Sequence, residues 1–368
     1  MKQHNIARLG DHVNVKTGKL DVNAGSPDGI YPFFTCAKEE YRINSYSFDC
    51  ECVLLAGNGD LNIKYYNGKF NAYQRTYVIE SKDKNLLDVR YLYFFMSMYI
   101  GTLRDVSIGG VIKYIKLGDI TDAKIPLPPL PEQRRIAETL DRAQRLIDLR
   151  KKQIEEMDRL VQAVFVEMFG DPVRNEKGWE KTALADHIEF LTSGSRGWAQ
   201  HYSNEGSFFI TIKNVKNGKI VREDVQHVIA PQTQEARRTK VQENDLLISI
   251  TADLGRTAVV DRRTAEEEAY INQHLSLVRL KKSMNPAFTS SFLESKAGKL
   301  QFAAKNQVGV KAGLNFEAIM SLMVLLPPIQ VQNEYSQLLE QINEKKATME
   351  TGLVNLEQNS RVLMQMLV

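Results

Sequence analysis

The chain states one pattern twice, and this limits what it can fold into more than any other feature. Leu127-Pro128-Pro129-Leu130-Pro131-Glu132-Gln133 leads into a long helical stretch, and Leu326-Pro327-Pro328-Ile329-Gln330-Val331-Gln332 leads into another, 199 residues later. Upstream, the same offset pairs Gly110-Val111 with Gly309-Val310 and Ile120 with Ile319. A solenoid unit is a single supersecondary element that cannot fold alone, whereas this period is a whole domain plus a helix. The 368 residues also suit two cores of roughly 120 to 150 residues each. Two copies of one binding module, each followed by a rod, predict a protein that touches a two-part target at a fixed distance.

The rods carry the next constraint. Ile136, Leu140, Ala143, Ile147, Arg150, Ile154, Met157, Val161, Val164 and Met168 alternate in steps of four and three, a heptad seam broken by Arg150 alone. The second rod repeats it at Tyr335, Leu339, Ile342, Lys346, Met349, Leu353, Leu356, Ser360, Leu363 and Leu367, with Lys346 and Ser360 as polar exceptions. The prolines forbid helix before Glu132, and Gly170-Asp171-Pro172 is a stop signal. The first rod is therefore expected to run about 57 Å, and the second to begin near Gln330. Two matching seams most simply pack on each other, and antiparallel pairing is expected because it relates the halves by a pseudo-two-fold axis. Arg150 and Lys346 either set the register of that pairing or reach out to solvent.

The fold expected is α+β: two mixed α/β modules spaced by two long helices packed as an antiparallel coiled coil, with an internal pseudo-two-fold repeat. The predicted divisions are 1–126 for the first module, 127–175 for the first spacer helix, 176–326 for the second module and 327–368 for the second spacer helix. Within the modules, Val53-Leu54-Leu55 and Leu246-Leu247-Ile248 read as buried strands running into turns, and Tyr73–Ile79 and Gln273–Arg279 as the strands that follow. Arg90–Leu103 and Phe288–Ala304 read as helices, each followed by a glycine loop. Between these landmarks the two modules share little sequence, so one framework carries two different surfaces.

Charge separates modules from rods. Residues 1–126 carry 16 basic and 14 acidic side chains and residues 176–326 carry 20 and 17, while 127–175 is balanced at nine each and 327–368 has three against five. This distribution suits modules that meet phosphate and rods that meet protein. No run of about 18 apolar residues is present to span a membrane. Met1-Lys2-Gln3-His4 leads into a polar start unlike a secretory signal, so a cytoplasmic location is expected. Cys36, Cys50 and Cys52 lack companion ligands at zinc spacing and read as reduced, small hydrophobes.

Chemistry is missing where an enzyme would need it. There is no glycine-rich methyl-donor loop, no Asn/Asp-Pro-Pro-aromatic segment for a flipped base, and no Gly-Lys-Ser/Thr of a P-loop. Pro27-Asp28 has no Glu-x-Lys at nuclease spacing to complete a metal site. Asp11-His12 and Asp186-His187 recur, but neighbours on a strand face opposite ways, which favours a turn or capping role for the aspartates. No catalytic residue, metal or cofactor is expected.

Several segments together resemble the specificity subunit of a type I restriction–modification system. They are Pro128-Pro129-Leu130-Pro131-Glu132-Gln133-Arg134-Arg135-Ile136, Glu167-Met168-Phe169-Gly170-Asp171-Pro172, Trp179 ahead of Leu184-Ala185-Asp186, and Ile271-Asn272-Gln273-His274, in family order over nearly the whole chain. The resemblance implies two target-recognition domains separated by an antiparallel helix pair, each domain reading one half of a split sequence in double-stranded DNA. It implies that methylation and cleavage belong to partner chains: two methyltransferase (modification) subunits docked on the helices and, in some assemblies, restriction/translocase subunits. The second half departs from the pattern at Gln330-Val331-Gln332-Asn333, where Pro-Glu-Gln-Arg is expected. The alternative reading is a non-catalytic coiled-coil scaffold for protein interactions.

Polar residues in or beside the strand-turn framework are the DNA-contact candidates. In the first module they are Arg42, Asn58, Tyr73, Arg75, Lys113 and Tyr114, and in the second Arg196, Lys213, Asn214, Arg256, Gln273, His274 and Lys311. Arg75 and His274 are 199 residues apart, as are Gln74 and Gln273. Trp179 and Trp198 read as core or loop anchors. Glu132, Gln133, Arg134 and Arg135 are the candidates for docking a methyltransferase helix.

Overall fold

The computed structural model describes residues 5–305 and 313–367. It forms two compact units, 1–153 with 349–368 and 154–348. The division falls inside the rods and not at their ends, because each unit contains part of each helix.

The first unit is built on a six-stranded sheet in the order Val13–Thr17, Thr76–Ser81, Phe48–Ala56, Ile63–Ala72, Tyr31–Phe34, Tyr41–Ile43. Cys52 to Ala56 are all buried, so the central strand has lost its alternation and is covered on both faces. Val89–Val106 forms the helix that covers one face, capped by the Asp88 carboxylate, which accepts from the Arg90 and Tyr91 amides. Asn5–Arg8 pairs with Lys124–Leu127 and closes the module beside the first spacer helix.

The second unit repeats the plan. Its main sheet runs Ile188–Ser193, Leu275–Leu280, Leu246–Ser249, Thr257–Val259, Gly218–Ile220, Val215–Lys216, and its first four strands stand in the same sequence order as those of the first unit. A second sheet of four short strands, absent from the first unit's described residues, adds Tyr202–Ser203, Gln226–Val228, Ser207–Ile210 and Tyr270–Ile271. Lys181–Ala183 pairs with Met323–Leu325 as the counterpart closure. The helix expected over 288–304 is two, Pro286–Glu294 and Lys296–Lys305. They break at an extended Ser295, and Gly298 passes so close that a Cβ there would lie 2.1 Å from the Leu293 carbonyl oxygen.

The spacer helices are Leu130–Phe169 and Ile329–Leu367. The first begins two residues earlier than the prolines suggest, since Pro131 in the opening turn sits where no amide hydrogen is required. It stops at Gly170, whose φ of +78° suits glycine, and the Trp179 indole donates to the last helical carbonyl, Phe169 O, at 3.0 Å. Every seam residue of the described side chains is buried or half-buried. In the first unit Ile136, Ala137 and Leu140 pack in one core with Leu363 and Met364; in the second, Phe165 and Phe169 close on Tyr335 at ring distances of 5.5 and 5.4 Å. Early residues of one helix thus meet late residues of the other in both units, which is antiparallel pairing. The polar seam residues act across the pair: Lys346 bonds Asp158, and Arg150 lies over Gly352, where a Cβ would come within 2.8 Å of its guanidinium. Lys151 adds an ion pair with Glu357 at 2.8 Å.

Candidate nucleic-acid interface

The strands expected to start at Tyr73 and Gln273 begin later, at Thr76 and Leu275, and the residues before them form tight turns. Thr76 N donates to Tyr73 O at 2.8 Å, and Leu275 N donates to Asn272 O at 3.1 Å. Gln74-Arg75 and Gln273-His274 therefore occupy the two central positions of equivalent turns, where side chains are free of the ladder.

The same backbone bonds hold both turns. Tyr73 N donates to Phe34 O and Asn272 N to Ile210 O, at 2.9 and 3.0 Å. Gly57 N donates to Arg75 O and Ile250 N to His274 O, at 2.8 and 3.0 Å. Gly18 N donates to Thr76 O and Gly194 N to Leu275 O, at 3.3 and 3.0 Å. The two glycines approach so closely that a Cβ on Gly18 would lie 1.9 Å from Ala72 O, and one on Gly194 1.9 Å from Asn272 O. A further pair, Ile115 N to Gly57 O and Leu314 N to Ile250 O, ties in the segment after each glycine loop at 3.0 and 2.9 Å.

In the first unit this framework brings together Asn58, Tyr73, Arg75, Lys113 and Tyr114. Asn58 bridges to Tyr114, and Gly59 N donates to Lys113 O at 2.9 Å. Arg75 and Lys113 are exposed, and Asn58 and Tyr73 are half-buried. The neighbouring Asp60 does not offset their charge, since Lys38 hydrogen-bonds it at 2.9 Å, holds its carboxyl below the usual carboxylate range, and Arg104 lies 3.5 Å away. Arg42 is not brought to this cluster: it lies on the edge strand Tyr41–Ile43, with its guanidinium on Ile30 O and Glu40.

In the second unit the turn gathers Arg196, Gln273 and His274. Arg196 follows Ser195, which bridges to Asn272. The His274 ring shares a 2.6 Å hydrogen bond with Thr251 through Nδ1, and Gln273 lies 3.1 Å from its Nε2. Arg256 stands at the end of the adjoining loop, paired with Asp253. Lys213 is exposed but set apart in a turn beside Asp224, at 3.7 Å. Lys311 lies outside the described residues.

Asn214 is a correction. It is fully buried, accepts from both the amide and hydroxyl of Thr211, and donates to Val221 O and Glu223 O, so no atom remains for a base edge. Gln133 is another. It is wholly buried, accepting from Asp88 N and donating to Leu86 O and Pro128 O, and cannot present itself to a partner. Of its neighbours, Arg135 is exposed and pairs with Glu132 at 2.6 Å, and Arg134 is exposed, 3.8 Å from Asp88.

The Asp-His repeats lie in turns, one of the two roles expected, and not on strands, and neither aspartate caps its helix. Asp11-His12 and Asp186-His187 sit in short helical turns whose carbonyls accept from Lys82 and Lys281: Lys82 Nζ bonds Gly10 O and Asp11 O, and Lys281 Nζ bonds Asp186 O. Trp198 is a buried anchor, its indole donating to Ser195 at 3.0 Å and its ring stacked on Phe209. Sequence reasoning missed Thr251, which orients His274, and the side chains of the first glycine loop, Val111 and Ile112, which are 102% and 61% exposed. The signal for the loop was legible: two β-branched residues after Gly109-Gly110 in no periodic segment.

The family model for the type I restriction modification DNA specificity domain matches residues 1–159 and again 176–358. The EcoDI specificity subunit of Escherichia coli is 46% identical over 153 residues, covering 42% of this chain and 34% of its own. The EcoKI specificity subunit of the same species is 25% identical over 275 residues, 70% of this chain and 59% of its own. The chain thus spans about a third to three-fifths of the length of these two relatives. The MjaVIII specificity subunit of Methanocaldococcus jannaschii is 21% identical over 92% of this chain and 85% of its own. Among solved structures, the type I restriction–modification S subunit of M. genitalium superposes with a TM-score of 0.64 at 15% identity, covering 100% of this chain and 97% of that one. A chain from a structure on assembly and conformational transition of the type I R-M system gives 0.60 at 16%, covering 100% and 98%. The two-module fold is shared, and the chain belongs to the type I restriction modification DNA specificity family.

Proposed function

We propose that this member of the family is the DNA-recognition subunit of a type I restriction–modification enzyme, reading a bipartite target with one module per half-site. The observation that carries the reading is the pair of turns at Tyr73–Thr76 and Asn272–Leu275. Five backbone hydrogen bonds repeat between them, while the side chains they display, Arg75 in one and His274 in the other, differ. A framework conserved by duplication with divergent displayed residues suits two readers of different sequence. Arg75, Lys113 and Arg196 supply positive charge for phosphate or guanine, and Asn58 and Gln273 supply amides that both donate and accept toward base edges, with His274 held beside Gln273 by Thr251.

In this reading the subunit carries no catalytic residues, and methyl transfer and any cleavage come from partner chains. The spacer helices offer the docking surface. Leu146, Leu149 and Val354 are 54%, 57% and 61% exposed on the first unit's helices, and Leu160, Val166 and Leu338 are exposed on the second's. Apolar side chains outside the seam contribute little to the pair itself and suit a covering helix. Among the described residues no helix is long and apolar enough to cross a membrane.

The test is to map methylated bases on DNA modified in the presence of this chain and its methyltransferase. A split motif with a constant gap is expected. Methylation without a bipartite motif, or binding of protein partners with no DNA retained, would replace this reading with that of a protein scaffold.

A further inference from the structure

The hairpin that follows the first module's long helix has no role in the core, yet it is firmly built. Ile108 and Tyr114 exchange backbone hydrogen bonds at 3.0 and 2.8 Å, and Tyr114 bridges on to Asn58. Gly109 adopts a φ of +124°, and a Cβ there would lie 2.4 Å from Ile112 O, so the reversal depends on glycine. The tip carries two adjacent β-branched aliphatic residues, Val111 and Ile112, 102% and 61% exposed. Their methyl groups do nothing for the fold while they face water, since apolar stabilisation comes only with burial. They also have little rotamer freedom to lose on contact.

What covers them is indicated by their surroundings. The hairpin is hydrogen-bonded to the Asn58–Gly59 turn, beside Arg75, and Lys113 follows Ile112 directly. An apolar point framed by cations and amides suits a polyanion that presents a methyl group. In the DNA major groove that group is the thymine 5-methyl.

We propose that Val111 and Ile112 read thymine by packing on its 5-methyl group in the half-site met by the first module. This rests on the DNA-reading function argued above. The side chains have no hydrogen-bonding capacity, so their discrimination is between thymine and any base lacking that methyl. The test uses the full chain assembled with its methyltransferase and target DNA in which each thymine is replaced singly by deoxyuridine. At one or two positions of the first half-site, uracil weakens binding roughly three- to ten-fold, the scale of one lost methyl contact. In the V111S/I112S variant that difference falls toward unity, whereas V111T, which keeps a γ-methyl, retains most of it, while discrimination at the second half-site is unchanged in both.

Three results would overturn the inference while leaving the function intact: a mapped first half-site without thymine, a wild-type complex indifferent to uracil, or a double variant with undiminished thymine preference. Raised 2-aminopurine fluorescence at a step beside the loop, lost in the variant without any uracil effect, would make the tip a wedge between bases and also overturn it. Absence of any bipartite motif would count against the function itself.

Discussion

The Asp88 amide donates to Gln133 Oε1 at 2.9 Å, and this bond joins the start of the module helix to the start of the spacer helix. Asp88 caps Val89–Val106 with its own carboxylate, while Gln133 spends its amide hydrogens on Leu86 O and Pro128 O. The second unit repeats the joint: Asn285 N donates to Gln332 Oε1 at 2.8 Å, Asn285 caps Pro286–Glu294, and Gln332 Nε2 donates to Pro327 O. Both glutamines are fully buried. The proline segment is thus a joint that fixes where each module's helix meets its rod, and the glutamine is its pin.

Gln133→Leu removes the pin and leaves a buried amide and two carbonyls short of a partner. A loss of about 2–4 kcal/mol is expected, read as a lower denaturation midpoint for the first unit. Gln332→Leu strands the Asn285 amide and the Pro327 carbonyl in the second unit and lowers its midpoint likewise. A surface docking residue would behave otherwise, with unchanged stability and lost methyltransferase binding, and that outcome would refute the joint.

Gly194→Ala tests the recognition framework. The added Cβ would collide with the Asn272 carbonyl, and a backbone atom cannot swing away as a flexible side chain can. The turn bearing Gln273 and His274 must shift, so affinity for the second half-site falls at least ten-fold while base preference at the first is unchanged. Gly18→Ala gives the mirror result. Competition assays with half-site substitutions check both, and undisturbed recognition of both halves would show the turns to be uninvolved.

The duplication, the rods and their seam were legible because they rest on periodicity and on proline and glycine chemistry, which act locally. Burial of polar residues was not. Asn214 and Gln133 resemble surface amides until the fold places Thr211, Val221 and Glu223 around one and Leu86, Asp88 and Pro128 around the other. Those partners, except those within the same turn, are fixed by tertiary contacts with no sequence period. The boundary at Tyr73 and Gln273 was missed for a related reason. A strand-like run gives no sign that its first residues are bent by bonds to Gly57 and Ile250.

Arg279 and Asp245 form a two-point pair, both bonds 2.8 Å, with Asp245 fully buried. Burial holds the Asp245 carboxyl above its ordinary value even though Arg279 and the Gln242 amide favour the ionised form. A group whose folded pKa is raised binds protons more readily when folded, so acidification through that pKa favours the native state, and this pair does not drive acid unfolding. Arg279→Leu strands the carboxylate and should cost about 3–5 kcal/mol at neutral pH. Part of that loss returns as pH falls below neutral, and Asp245→Asn in the same background restores stability without the pH dependence. Denaturation midpoints across that range check both, and a pH-independent loss would show that the charge is not the cause.

The spacer pair makes the last prediction. Its register is held by apolar seam residues and by the crossings of Lys346 with Asp158 and Lys151 with Glu357. Inserting one heptad in a single helix sets these contacts against each other, whereas matched heptads in both helices preserve the seam on either side. Each matched insertion adds about 10 Å of helix, equal to about three base pairs of B-DNA. The preferred gap between half-sites is expected to lengthen by about that amount with both half-site sequences unchanged, and a single-helix insertion to lower stability without a defined new gap. Methylation mapping on a library of graded gaps provides the reading. A matched variant that still assembles with its methyltransferase and keeps the original gap would show that the rods do not measure the target.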